Sequence, residues 1–332
     1  MKIKKASSEK EKRKLEDIGF YTLCDSRAHY SSVESPLWRC ELILTDRCNF
    51  SCPYCRGLRS DCRGDRTQEE ALTILRQWFS QGLVNVRFSG GEPTLWRGLS
   101  HCISACKQNG VKRIALSTNG SAQKKVYEQL LLQGVNDFSI SLDGGCCAIG
   151  EQMNGGNKSA WERSIMNIQW LAKQTYVTVG MVFNEQNIES AKESVLFAHG
   201  LGVSDIRIIS SAQYNQALSA LDTLDDGVLD AHPILKYRVS NMRTGISVRG
   251  LSDQDAPLCR LVLDDIAVAG KWHFPCIIYL REGGNPIGET IDKDFRQKRY
   301  KWMINHDPRR DPICRHNCLD VCRDYNNKAN SR

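Results

Sequence analysis

The sequence predicts an α/β fold: a partial (β/α)6 TIM-like barrel followed by a smaller, cysteine-rich carboxyl-terminal domain. Three observations carry that expectation. Short apolar strands alternate with amphipathic helices over residues 39–210, the pattern of repeated βα units on a parallel sheet. Gly110, Gly134 and Gly200 stand just beyond three of the helical segments, where helices commonly stop. After about residue 213 the rhythm fails, and five of the 15 cysteines fall between Cys259 and Cys322. The expected division is an amino-terminal extension over residues 1–38, a barrel core over 39–212, and a linker with the cysteine-rich domain over 213–332.

Each element has its own warrant. The first strand is expected at Arg39–Thr45, and the second at residues 85–89, where Val84, Val86 and Phe88 alternate as a strand requires. Four more strands centre on Ile114, Ile140, Val179 and Ile208. Between the first two, Thr67 and Glu70 form a capping-box pattern and Gly82 supplies a stop. Leu72, Leu75 and Phe79 then share the buried face of that helix. Further helices are expected over 99–108, 124–133, 160–173 and 188–199. Six βα units with right-handed crossovers gather their carboxyl-end loops at one mouth, which is where chemistry is sought.

With 332 residues and 41% hydrophobic content, the chain can bury one large core or a core and a satellite. Its cysteines are spread too widely for a small disulfide scaffold, so metal binding is the better prior. The first residues are rich in Lys and Glu, and no apolar run long enough for a signal peptide or membrane span follows. A cytoplasmic protein with free thiols is expected, with neither membrane nor nucleic acid as a partner. The net charge of +7 is mild; it suits an anionic substrate, though a solvated surface explains it more simply.

Directly after the first strand, Cys48, Cys52 and Cys55 form a Cys-x3-Cys-x2-Cys loop. Such a loop can hold three irons of a cubane [4Fe-4S] cluster and leave the fourth iron open. Structural zinc normally takes four protein ligands, and only Cys62 stands near enough to offer another. The segment strongly resembles the radical SAM superfamily, as does the run Gly90-Gly91-Glu92-Pro93 after the second strand.

The resemblance covers residues 39 to about 210 and implies that S-adenosylmethionine (SAM) chelates the open iron. Electron transfer then yields a 5′-deoxyadenosyl radical, with an electron donor such as flavodoxin or ferredoxin. It further implies that Tyr54 packs near the adenine, that Gly90 and Gly91 present backbone to the methionine, and that Glu92 meets its ammonium. Ser117, Asn119, Ser141 and Asp143 are expected on SAM or substrate. Arg207, a charge inside an apolar strand, either reaches an anionic group or pairs with a core carboxylate.

Cys259 and Cys276 bracket Gly270, and Cys314, Cys318 and Cys322 follow. This resembles the SPASM or Twitch extensions of radical SAM enzymes and implies one auxiliary [4Fe-4S] cluster, for which four of the five thiols suffice. A zinc site using His316 is the alternative. Cys102 and Cys106 read as small buried hydrophobes, while Cys146 and Cys147 stand at the expected mouth, where loop packing or a meeting with a substrate radical is open. The leading functional expectation is hydrogen abstraction from a peptide, as in thioether formation or epimerisation. Modification of a nucleoside, sugar or other small molecule follows, and a non-catalytic iron-sulfur or zinc sensor or nucleic-acid module is the competing class.

Overall fold

The computed structural model describes residues 28–156, 158–210 and 216–331. The greater part of the expected amino-terminal extension, residues 1–27, and the expected boundary at 212/213 lie outside them. Six parallel strands follow one another in the sheet: β1 (Arg39–Thr45), β2 (Asn85–Gly90), β3 (Arg113–Thr118), β4 (Asp137–Ser141), β5 (Tyr176–Phe183) and β6 (Asp205–Ser210). One face of each strand is apolar and packs in the core, as with Val86, Phe88, Phe138, Ile140, Ile206 and Ile208, while the alternate positions carry polar side chains such as Glu41, Arg87, Ser89, Ser141 and Arg207 to the inner face. Side chains from all six line a single cavity at the carboxyl ends, so the sheet wraps around that space as a partial barrel.

The covering helices are α1 (Gln68–Ser80), α2 (Leu99–Gln108), α3 (Lys124–Gln133), α4 (Cys147–Met153), α5 (Lys158–Leu171) and α6 (Ala191–Gly200). The Thr67/Glu70 capping box opens α1 as expected. Its buried face is Ala71, Ile74, Leu75 and Trp78; Leu72 and Phe79 sit at the margin, because the indole of Trp78 takes the deep position. Helix α6 starts later than its periodicity predicts. Asn187 ties the preceding turn down by donating to the carbonyls of Asp143 and Val182, both at 2.8 Å, so a single tight turn comes first. Cys102 and Cys106 are fully buried on α2, as expected of small hydrophobes.

The carboxyl-terminal region does not stand apart from the barrel sheet. β7 (Asp265–Ala269) pairs parallel with β1, and β8 (Trp272–Phe274) and β9 (Gly288–Glu289) continue antiparallel, giving one nine-stranded sheet. Arg39 and Asp265, opposite each other in register, form an ion pair across that junction. Helices α7 (Asp226–Ala231) and α8 (Pro233–Arg243) lead from the barrel to the carboxyl-terminal elements α9 (Ile277–Arg281), α10 (Phe295–Ile304), α11 (Pro312–Asn317) and α12 (Asp320–Asn330). Arg238 of α8 and Asp320 of α12, both fully buried, pair at 3.0 Å, and Arg238 also donates to the Ile208 carbonyl of β6 at 3.1 Å. Buried charges are tolerated only when paired in this way.

Candidate active site

The loop from Asp46 to Cys55 is held by the two glycines at the end of β2. Gly90, at φ +147°, and Gly91 press against the backbone of Thr45, Asp46 and Arg47; a Cβ on Gly91 would lie 2.2 Å from the Arg47 carbonyl oxygen. The Gly91 N–H donates to Thr45 O and the Glu92 N–H to Arg47 O, each at 2.8 Å. No side chain fits between these segments, which is a physical reason for glycine here. The clamp delivers Cys48, Cys52 and Cys55 to one end of a cavity of about 450 Å³.

None of the three thiols is in a disulfide. The Phe50 N–H donates to Cys48 Sγ at 3.4 Å, and Asn119 Nδ2 stands 4.0 Å from the same sulfur. Burial pushes Cys52 up to about 12 and Cys48 upward, so an incoming metal must displace their protons. Three sulfurs facing a roomy cavity, with amide donors beside them, form a donor set that fits an iron-sulfur cluster with one open iron.

Gly90, Gly91, Tyr54, Ser117, Asn119, Ser141 and Asp143 all line the same cavity. Tyr54 and Asp143 act together: the phenol donates to the Asp143 carboxylate in a short bond, and the Val182 N–H donates to the other oxygen at 2.7 Å. Burial holds the Asp143 carboxyl up to about 6. The pair links the cysteine loop to the ends of β4 and β5. Asn119 donates to Asn49 Oδ1 at 2.8 Å, a second tie from the barrel wall to the loop.

Glu92 is placed differently from the expectation. It is 1% exposed and lies behind the cavity wall. One oxygen accepts from the Thr94 N–H and the Thr94 and Thr118 hydroxyls, at 3.1, 2.6 and 2.8 Å, and the other from the Asn119 N–H at 2.8 Å. In this arrangement the carboxylate positions Thr118 and Asn119. Cys146 and Cys147 do not line the cavity either; Cys147 Sγ donates to Glu151 at 2.8 Å. Cys62 is buried in a separate apolar cluster with Ile43 and Phe274 and is no fourth ligand.

Other cavity residues carry no sequence signal. Arg249, Arg281 and Glu282 come from the carboxyl-terminal part, and Trp161 from α5. A second, apolar cavity takes all five later cysteines, Cys259, Cys276, Cys314, Cys318 and Cys322. Burial raises Cys259 to about 11 and pushes Cys276 and Cys314 higher, while the hydrogen bond between Cys318 and Cys322 lowers Cys322 and raises Cys318. Five unbridged thiols from three chain segments converging on one cavity fit a second cluster. His316 is not among its lining: it is exposed, with Nδ1 against Pro312 O at 2.7 Å. His306 is the histidine near these thiols, its Nε2 3.9 Å from Cys314 Sγ and 3.6 Å from Asp311. Ile278 lines both cavities and is a shared wall.

Residues 42–198 match the Radical SAM superfamily model. A probable GTP 3',8-cyclase of Saccharolobus solfataricus is 30% identical over 179 residues, which is 52% of this chain and 57% of that protein. The GTP 3',8-cyclase of a Synechococcus species is 34% identical over 139 residues, 40% of each chain. The chain thus spans 57% and 40% of the length of these two relatives. Streptococcus suis SuiB bound to its precursor peptide SuiA superposes with a TM-score of 0.58 at 17% identity, over 84% of this chain and 67% of that one. The peptide and AdoMet complex of anSMEcpe gives 0.58 at 14%, over 80% and 82%. At those identities the likeness is one of fold. The sequence match begins in β1 and takes in the three-cysteine loop, the glycine clamp and the ends of β3 and β4, and it identifies residues 42–198 of this chain as a Radical SAM superfamily domain.

Proposed function

We propose that the chain is a radical SAM enzyme that reductively cleaves SAM and abstracts hydrogen from an organic substrate. The observation that carries this reading is the convergence of the Cys48, Cys52 and Cys55 thiols with Gly90, Gly91, Ser117, Ser141 and Asp143 on one cavity. The three thiols would hold a [4Fe-4S] cluster, which when bound supplies the electron and the open iron for SAM cleavage. The chain's own part is positional. The glycine clamp sets the loop, and Tyr54 and Asp143 lock it to the barrel. Cys259, Cys276, Cys314, Cys318 and Cys322 would hold one auxiliary [4Fe-4S] cluster behind Ile278, in the manner of a SPASM or Twitch extension. A flavodoxin or ferredoxin in the cytoplasm is the proposed electron source; no helix of the described residues is long and apolar enough to cross a membrane.

A peptide is the first substrate reading, supported by the fold shared with the peptide complexes of SuiB and anSMEcpe. A nucleotide or other small molecule is the second, supported by the cyclase relatives and by five arginines in the cavity lining. The test is anaerobic reconstitution with iron counting and a reductant-dependent assay for 5′-deoxyadenosine. About eight irons per chain are expected for two [4Fe-4S] clusters, with cleavage abolished in Cys48→Ala, Cys52→Ala and Cys55→Ala. Reconstituted protein that neither binds nor cleaves SAM would remove the basis of the enzyme reading.

A further inference from the structure

The last of the six parallel strands holds a cation that the fold itself does not use. Arg207 lies in the middle of β6, five strands from β1 in the sheet, and lines the cavity. Its cross-strand partner on β5 is Gly180, and the guanidinium lies over that glycine: a Cβ there would be 3.2 Å from Arg207 Nη2. The Nε is buried without a hydrogen-bond acceptor. Among the described residues Arg207 has no ion-pair partner, and the carboxylates that line the cavity are engaged elsewhere. Asp143 takes Tyr54 and Val182, Glu41 takes Ser89 at 2.6 Å, and Glu282 pairs with Arg56 and Arg249. Arg281 donates only to backbone carbonyls, those of Gly57 and Gly90 at 3.0 and 3.2 Å. Five arginines therefore line the cavity against three carboxylates, and the excess positive charge includes a buried donor with nothing to bind.

An unpartnered buried guanidinium N–H costs free energy that an oxyanion would recover through a bidentate, charge-assisted pair. SAM has a single carboxylate, which in the proposed function would be taken up at the iron held by Cys48, Cys52 and Cys55, in the loop after β1, five strands from β6 in the sheet. The anion for Arg207 then belongs to the second molecule. We propose that Arg207, seated over Gly180, anchors an oxyanion of the substrate, a phosphate or a carboxylate, so that the enzyme's substrates are anionic. The proposal rests on the radical SAM reading of the cavity. Gly180 matters because any side chain there would crowd the guanidinium and tilt its donors.

The test titrates reconstituted, SAM-loaded protein with two probes, GTP for the phosphate source and a pentaglutamate peptide for the carboxylate source. Calorimetry and quenching of tryptophan emission, with Trp161 in the cavity lining, report binding. One probe is expected to bind, with affinity weakened tenfold or more in Arg207→Gln, only partly restored in Arg207→Lys, which keeps the charge but not the bidentate fork, and reduced to a lesser degree in Gly180→Ala, which keeps the guanidinium. SAM affinity and substrate-free 5′-deoxyadenosine formation should match wild type in all three variants. Binding of neither probe, or equal binding to wild type and Arg207→Gln, overturns the proposal. A parallel loss of SAM affinity in Arg207→Gln also overturns it, by assigning the arginine to SAM. Absence of SAM cleavage in wild type is a separate result that sinks the enzyme reading instead.

Discussion

Replacing Gly91 by alanine should disable the cysteine loop without unfolding the protein. The new methyl would sit 2.2 Å from Arg47 O, 2.6 Å from Arg47 C and 2.7 Å from Asp46 O, all backbone. Relief to an ordinary carbon-oxygen contact needs a shift of about 1 Å, and close-packed interiors do not absorb that freely. Moving Arg47 by that amount stretches the 2.8 Å bond from the Glu92 N–H past hydrogen-bonding range. Overpacking costs about 1 to 3 kcal/mol and the lost bond about 1 kcal/mol more, roughly 2 to 4 kcal/mol together. For a chain of this size that is a Tm fall of roughly 3 to 6 °C. Because Asp46, Arg47 and Cys48 are exposed, the loop is the part that yields, and Cys48 is the residue next to the displaced carbonyl. Gly91→Ala should therefore keep its far-ultraviolet circular dichroism, reconstitute with roughly half the wild-type iron, and make little 5′-deoxyadenosine. Gly200→Ala, where a methyl meets nothing, is the matched control and should leave all three readouts unchanged. Full iron loading and normal SAM cleavage in Gly91→Ala would refute the clamp argument.

Asp143 carries a pH signature. Its folded carboxyl, held at about 6 by burial, binds a proton more tightly than the ordinary 3.8 of the unfolded chain, so its contribution to stability is present at low pH and lost as pH rises through 6. Urea melts of the metal-free protein should show Asp143→Asn escaping about 1.4 kcal/mol of the wild-type decline between pH 5 and pH 8; parallel curves would contradict this. Glu92→Gln replaces one acceptor oxygen with an NH2 donor facing other donors, so it should lower stability by about 1 to 3 kcal/mol, with the Tm as the readout and an unchanged Tm as the contrary result. Asp320→Ala leaves Arg238 buried and unpaired, which should cost roughly 3 to 5 kcal/mol. Because Asp320 stands between Cys318 and Cys322, iron bound at the second cavity should fall as well, and intact loading with an unchanged Tm would count against the pairing.

What the sequence disclosed tracks how local each determinant is. Strand limits such as Arg39–Thr45 were readable because a buried parallel strand is a short apolar run, and the α1 start was readable because Thr67 and Glu70 lie three residues apart. The face of α1 was read one step off, since only packing decides whether Trp78 or Phe79 goes deep. The pairing of β7 with β1 joins residues 226 apart, and no local pattern encodes it. In the site, the cysteine spacing and the glycines pointed to residues that the structure brings to one cavity, because backbone geometry follows from those residue types. The direction of Glu92 did not follow, since it depends on donors from Thr94, Thr118 and Asn119. The cavity face formed by Arg249, Arg281 and Glu282 was invisible for the same reason: those residues are brought there by tertiary structure alone.

The junction of β1 with β7 also bears on how the chain is made. At roughly 5 to 20 residues per second, the ribosome needs about 10 to 45 s to travel from Arg39 to Asp265. For that interval β1 has β2 on one side and an open edge on the other, and an open apolar edge invites pairing with foreign strands. The nascent chain thus passes through a period in which the loop of Cys48, Cys52 and Cys55 exists while the strand that covers its base does not. Chains cut short before β7 inherit that open edge permanently, so the barrel half expressed alone should aggregate, and the carboxyl-terminal cysteines come with a built-in cover for the strand that carries the first three.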